Sequence, residues 1–453
     1  MAQLGVYMNK FVLILVSVAV AFSMGAERYK DRLFEVSKEK NVVYASGVQH
    51  LKKLNSISTA LLMYSMFGNG TSVYLYENET DLTSVSLHMD IYKPKNDTET
   101  KRAAVLVMHG GAFAAGAKDD TDQQTITYCD SLAARGYVAV AVEYRLGITA
   151  TIENKVLTID SLNFSRTVYR GIQDVRAAVR YVRMNADKLG VDPGRIYLIG
   201  NSAGAILSLE NIYMDKDAEI PAAAKRDPNL GGLDAYGVQG TNAQANAVAA
   251  LWGAVHDINI IEDVKKPVLL VHGKADSTVL FKTGRPLGNI AGVLENLMPE
   301  SVAPIGAMAF NVQTPTLYGS YVIDSALTAK GVDHETYFVD GMPHEFYDEG
   351  DYDVKVREKV FSFLYAQTQK PAGSERIVVA LAKPSLLKMG EDNRSFYLTG
   401  GNERPYAVTD LRGRIVKSGM VSAGESVDLM DLERGVYVLR VKGERPLRFG
   451  LAK

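Results

Sequence analysis

A chain of 453 residues has room for two or three folding units at ~150 residues each. With 47% hydrophobic and 23% charged residues, it is excluded from the mostly disordered class. Fifty Lys and Arg stand against 52 Asp and Glu, a formal net charge of −2, so the basic field needed to hold nucleic acid is missing. The single cysteine, Cys129, excludes an internal disulfide, Cys-rich zinc sites and iron–sulfur clusters.

Residues 1–26 have the order of an export signal. Lys10 supplies positive charge, Phe11 to Phe22 is apolar apart from Ser17, and Ser23, Gly25 and Ala26 are small. The apolar run is shorter than the ~20 residues of a spanning helix, which favours a cleaved signal over a membrane anchor. No later segment is apolar enough to span a membrane, so no stable membrane span is expected, and a secreted or cell-surface location is.

Residues 27–365 are expected to form the first and larger domain. Five apolar runs mark its strands: Ala103–Met108, Val138–Val142, Ile196–Ile199, Val268–Val271 and Glu335–Val339. Runs apolar on both faces suit a parallel sheet covered by helices on each side. Between them Val168, Ile172, Val175, Val179, Val182, Ala186 and Leu189 fall at helical spacing, with Gly190 as a stop and Asp192-Pro193-Gly194 as a turn. The fold class is therefore α/β, with functional groups gathered on loops after the C-terminal ends of strands.

Those loops carry three signals. Gly200-Asn201-Ser202-Ala203-Gly204 follows a strand and opens a helical pattern, the context in which a tight turn exposes a nucleophilic serine. A hydroxyl needs a base, and the base needs a carboxylate to orient it. Asp276 and His344 follow the last two strand runs, in the order serine, acid, histidine. Asp257 and Asp263 are fallback acids. Among the other histidines, His272 reads as a strand-end packing residue, His334 opens a strand, His256 precedes the acid, and His50 and His88 lie before the core sheet. His109-Gly110-Gly111-Ala112-Phe113 follows the first strand run. The N–H groups of Gly111 and Ala112, with that of Ala203, are expected to hold an oxyanion.

Together with Tyr144-Arg145-Leu146, Asp192-Pro193-Gly194-Arg195-Ile196 and His272-Gly273-x-x-Asp276, these stretches resemble carboxylesterases of the α/β-hydrolase superfamily over residues 85 to 365. The resemblance implies a Ser202–Asp276–His344 triad and acyl-enzyme hydrolysis of small-molecule or polysaccharide-linked esters, with no cofactor and no metal. Many relatives have a third glycine where this chain has Ala112. The competing readings are a non-catalytic hydrolase-fold binding protein and a serine peptidase or amidase. The wall of the site is expected from 147–165, 214–245 and 281–316.

Residues 366–376 are polar and read as a linker. Beyond them come short strand-like pieces at 395–398, 406–409, 414–417, 426–429 and 436–441, separated by glycines, as in a small β-sandwich. Residues 377–453 resemble the C-terminal sorting domain of the bacterial type IX secretion route, notably at Tyr406–Val416 and Asp431–Val441. That resemblance implies the secretion machinery as a partner and, because polysaccharide-degrading bacteria use the route, acetyl or feruloyl esters of plant cell walls as substrates. The acidic run Asp348, Glu349, Asp351 and Asp353 lacks the spacing of a calcium loop and reads as solvated surface.

Overall fold

The structure, a computed structural model, describes residues 26–52, 74–76, 78–119, 124–154, 156–261, 266–288, 309–370, 387–390, 394–410, 414–442 and 447–451. The export signal expected at 1–26 lies outside these residues, Ala26 excepted. The chain divides into two units, 1–373 and 374–453.

The first unit is built on one eight-stranded sheet. Its strands are β1 (Val36–Leu51), β2 (Leu82–Pro94), β3 (Arg102–Met108), β4 (Val138–Val142), β5 (Val191–Asn201), β6 (Ala247–Leu251), β7 (Val268–Gly273) and β8 (His334–Val339). In space they run β1-β2-β4-β3-β5-β6-β7-β8. From β4 across to β8 every pairing is parallel, and β2 is antiparallel to both its neighbours. This is the expected α/β-hydrolase architecture. One placement is corrected: His50 and His88 do not precede the sheet but sit in β1 and β2. Those two strands carry polar residues on an exposed face, so neither shows the continuous apolar run of the central strands.

Helices α1 (Thr125–Ala134), α2 (Ser161–Met184), α3 (Ala203–Tyr213), α4 (Ser320–Lys330) and α5 (Tyr352–Gln369) cover the sheet. Alternate residues of each central strand serve opposite layers. Ala104, Leu106 and Met108 pack with α2, α3 and α4, while Ala103, Val105 and Val107 pack with α1 and α5. The apolar stripe of α2 is interrupted at Asn185. A short helix, Ala186–Leu189, then ends on Gly190 in the left-handed conformation (φ 68°). Asp192-Pro193-Gly194 falls inside β5, where the register with β3 shifts between Arg102 and Ala104. Helix α5 runs to Gln369 and buries Gln367 and Thr368. The polar stretch from 366 therefore begins within a helix, not a linker. Asp351 and Asp353 of the acidic run pair with Lys355 and Arg357 one turn on, at 2.7 and 2.8 Å.

Beside its apolar stripe, α2 carries a second row whose polar heads capture the chain at 214–246. Gln173 donates to the carbonyls of Leu230 and Gly232. Arg176 donates to Asp234 and Met214, Arg180 to Asp234 and Val238, and Arg183 to Gln244. The expected wall segment at 214–245 is thus lashed to this helix. The other two wall segments meet each other: Ala309–Val312 pairs with Val156–Ile159, which pairs with Thr151–Glu153.

The described residues of 374–453 form two sheets. One contains β9 (Leu387–Met389), β10 (Ser395–Leu398) and β13 (Ser426–Asp428). The other contains β11 (Arg404–Asp410), β12 (Ile415–Val421), β14 (Gly435–Val441) and β15 (Leu447–Leu451). Phe396, Leu398, Val408, Val421, Leu429 and Leu439 are fully buried in one shared core. All five expected strands are present, and β9 and β15 flank them. Among the described residues no helix is long and apolar enough to cross a membrane.

Arg145, three residues beyond β4, is 4% exposed and donates to the fully buried carboxylate of Asp174 on α2 through its backbone N–H and Nε. Asp174→Ala leaves a buried, uncompensated guanidinium and is expected to lower unfolding free energy by about 3–5 kcal/mol. Urea denaturation checks this; a loss below ~1 kcal/mol would contradict it.

Candidate active site

Ser202 stands between the end of β5 and the first turn of α3 with φ 52° and ψ −113°, a region that non-glycine residues rarely occupy. The turn is closed on both sides. A Cβ on Gly200 would lie 2.2 Å from the carbonyl oxygen of Gly204, and one on Gly204 would lie 2.4 Å from that of Met108. Ser202 N–H donates to Leu251 O at 3.0 Å, and Ser202 O accepts from Ala205 and Ile206. The next strand ends are tied in turn: Trp252 N–H donates to Val271 O, and the Trp252 indole N–H donates to the Asn201 side chain.

Asp276 follows β7 and His344 follows β8. Ser202 Oγ lies 2.8 Å from His344 Nε2, and His344 Nδ1 lies 2.6 Å from Asp276 Oδ2. With a carboxylate at Nδ1, that nitrogen carries the proton and Nε2 accepts from the serine hydroxyl. Asp276 Oδ1 accepts from the N–H groups of Thr278 and Val279 at 2.8 and 2.9 Å. Burial pushes the Asp276 carboxyl up, but the hydrogen bonds from His272 and His344 outweigh it and hold the pKa near about 2. Burial disfavours the His344 imidazolium, yet the hydrogen bond and charge of Asp276, helped by Glu345, raise its pKa above the usual imidazole value.

His272 is more than a packing residue. Its Nε2 lies 3.1 Å from Asp276 Oδ2 and 2.9 Å from Val279 O, and its Nδ1 lies 2.8 Å from Ser320 Oγ. Two acceptors at Nε2 make it the donor, and Nδ1 accepts from the Ser320 hydroxyl. The acid is therefore held by two imidazoles. The position of His272 four residues before Asp276 hinted at this, but Ser320 lies 48 residues away in sequence and gave no signal.

Of the fallback acids, Asp257 accepts from the backbone and side chain of Asn259, and Asp263 lies outside the described residues. His256 instead pairs with the buried Glu210 of α3 at 2.9 Å, and His334 with Asp324 at 2.8 Å.

The loop after β3 is pinned against the elbow by the close approach of Met108 and His109 carbonyls to Gly204. Gly111, Ala112 and Phe113 all have positive φ, at 98°, 52° and 62°. A Cβ on Gly111 would lie 2.3 Å from Ala115 O, so glycine is required there, whereas Ala112 tolerates the left-handed conformation without a third glycine. Beneath the loop, His109 stacks on Tyr144 with ring centroids 4.4 Å apart. The Tyr144 hydroxyl donates to the carbonyls of His109 and Gly110 at 2.9 and 3.1 Å. Burial lowers the His109 pKa to about 4, so this imidazole is a neutral structural support. Further along the loop, Gly147 N–H donates to Phe113 O, and Tyr74 N–H to Ala114 O, each at 2.7 Å.

A hydroxyl, an imidazole and a carboxylate in hydrogen-bonded series beside a glycine loop are chemically suited to proton removal and attack on a carbonyl. Comparison with known proteins finds similarity over part of the chain. Residues 89–227 match the BD-FAE family, a span that includes the glycine loop after β3 and the turn at Ser202 and ends before Asp276. The chain is 31% identical over 121 residues to fumonisin B1 esterase of Sphingopyxis macrogoltabida, covering 26% of this chain and 21% of that one. It is equally identical over 121 residues to neuroligin-like protein glit-1 of Caenorhabditis elegans, covering 26% and 15%. The chain thus spans about a fifth or less of the length of these curated relatives. A propionate-bound esterase from Thermogutta terrifontis superposes with a TM-score of 0.38 at 23% identity, covering 66% of this chain and 95% of that one.

Tyr144→Phe removes the donor that two buried loop carbonyls share. Stability is expected to fall by about 1–3 kcal/mol, with turnover falling alongside as the loop loosens. Wild-type stability and turnover in this variant would show that the hydroxyl does not hold the loop.

Proposed function

We propose that this protein is a serine carboxylic-ester hydrolase. The observation that carries the reading is the unbroken hydrogen-bonded series from Ser202 Oγ through His344 to Asp276. In the proposed reaction His344 Nε2 takes the serine proton as Oγ bonds to the ester carbonyl carbon. The carbonyl oxygen becomes an oxyanion held by the N–H groups of Gly111, Ala112 and Ala203. As the tetrahedral adduct collapses, the bond to the alcohol oxygen breaks and His344 returns the proton to it. Water, activated by the same imidazole, adds to the acyl-enzyme, and the acid leaves with Ser202 restored.

The competing reading is a non-catalytic hydrolase-fold binding protein. Against it stands the retention here of serine, histidine and acid in hydrogen-bonded register. The amidase reading has no specific observation in its favour. The finer reading is export through the N-terminal signal, sorting by the C-terminal domain, and action on acetyl or feruloyl esters of plant cell-wall polysaccharide. Its support is the residue pattern at 1–26 and the resemblance of residues 377–453 to a sorting domain.

Ser202→Ala is expected to lower kcat/KM for p-nitrophenyl acetate by roughly 10³-fold or more, measured against the uncatalysed rate. Equal turnover in the variant, or none in the wild type, would reject the esterase. The imidazole must be neutral to accept the proton. Because its pKa is raised, kcat/KM is expected to rise with pH through an apparent pKa above the usual imidazole value. A pH–rate profile flat through neutrality would contradict that.

A further inference from the structure

Glu345 follows His344 directly and adopts φ 51° and ψ 46°, a left-handed conformation in which glycine or asparagine is the usual occupant. Strain of this kind is retained where the surroundings hold it. Its carboxylate Oε1 lies 4.0 Å from His344 Nε2, and its side chain is 32% exposed. Burial and, after it, the Glu345 charge push the Tyr144 phenol up. The charge is therefore felt both at the imidazole and beneath the oxyanion loop.

Nε2 is the atom that hands the proton to the departing alcohol oxygen. In that step the oxygen comes within ~3 Å of Nε2, and the first substituents of the alcohol come within about 4–7 Å of the Glu345 carboxylate. At such separations in a half-buried setting, one unit charge changes binding of a second by tenfold or more. A carboxylate also accepts hydrogen bonds from hydroxyl groups, which cost it no charge repulsion.

We propose that Glu345 sets the charge preference on the alcohol side of the site: it admits esters of neutral hydroxyl-bearing or cationic alcohols and excludes those carrying a carboxylate next to the ester. This rests on the esterase reading and adds a substrate class to it.

Three aryl acetates test the proposal: phenyl acetate, the 3-trimethylammonio analogue and the 3-carboxylate analogue, each rate being divided by that ester's own rate of hydroxide hydrolysis. They are assayed with the full-length wild type and Glu345→Gln at pH 8. The wild type is expected to favour the cationic over the anionic ester in kcat/KM by about tenfold or more. Glu345→Gln is expected to compress that ratio toward one, and 0.5 M NaCl is expected to reduce it in the wild type by screening. A second readout is the ionisation of His344, on which Asp276 and Glu345 act; its apparent pKa in kcat/KM is expected to fall in Glu345→Gln. Turnover of phenyl acetate with a charge ratio that Glu345→Gln leaves unchanged would overturn the proposal and spare the esterase reading. No turnover of any of the three by wild type would overturn both.

Discussion

Everything at the site depends on one backbone constraint: the sharp reversal at Ser202, held at φ 52° between a strand and a helix. Two glycines make it geometrically possible. At Gly200 and Gly204 a methyl group would stand 2.2 and 2.4 Å from carbonyl oxygens, distances no relaxation of a packed core accommodates cheaply. The reversal lifts one hydroxyl to the sheet rim and turns the chain directly into α3, whose Ala205 and Ile206 N–H groups donate to Ser202 O. It also brings Met108 and His109 against the helix, so the glycine loop after β3 is fixed by the contact that forms the elbow.

The rest of the machinery comes from the order of the strands. Strands β5, β6, β7 and β8 are parallel neighbours, so their C-terminal ends share one rim and the residues following β5, β7 and β8 converge. Ser202 and Asp276 are 74 residues apart in sequence, yet one imidazole reaches both. The buried partners of Asp276 keep it ionised, and the ionised acid keeps the proton of His344 on Nδ1. Each layer of packing thereby decides the protonation state of the layer above it.

Much of this was legible in the residues. Continuous apolar runs at 103–108, 138–142, 196–199 and 268–271 marked the buried strands because a strand covered on both faces has no polar side to show. Ser202 and Asp276 stood out because each follows such a run, and His344 because it follows the run at 335–339, which forms a half-exposed edge strand. What escaped notice was encoded by distant partners. The strands β1 and β2 are half-exposed, and their mixed composition hid them. His272 gains its role from Ser320, and Tyr144 from carbonyls that carry no side-chain signature. The Arg176–Arg180–Arg183 row reads as a solvated helix face until the chain at 214–246 is laid on it. Helix α5 extends past 365 because Gln367 and Thr368 are buried, which polar composition does not announce.

The central claim is that the Ser202 hydroxyl is an activated nucleophile, and covalent capture tests it most directly. The full-length protein treated with a fluorophosphonate and digested for mass spectrometry is expected to carry one adduct, on the peptide containing Ser202. Labelling should slow by orders of magnitude in His344→Ala. No adduct, an adduct on another residue, or labelling of equal rate without His344 would contradict the account.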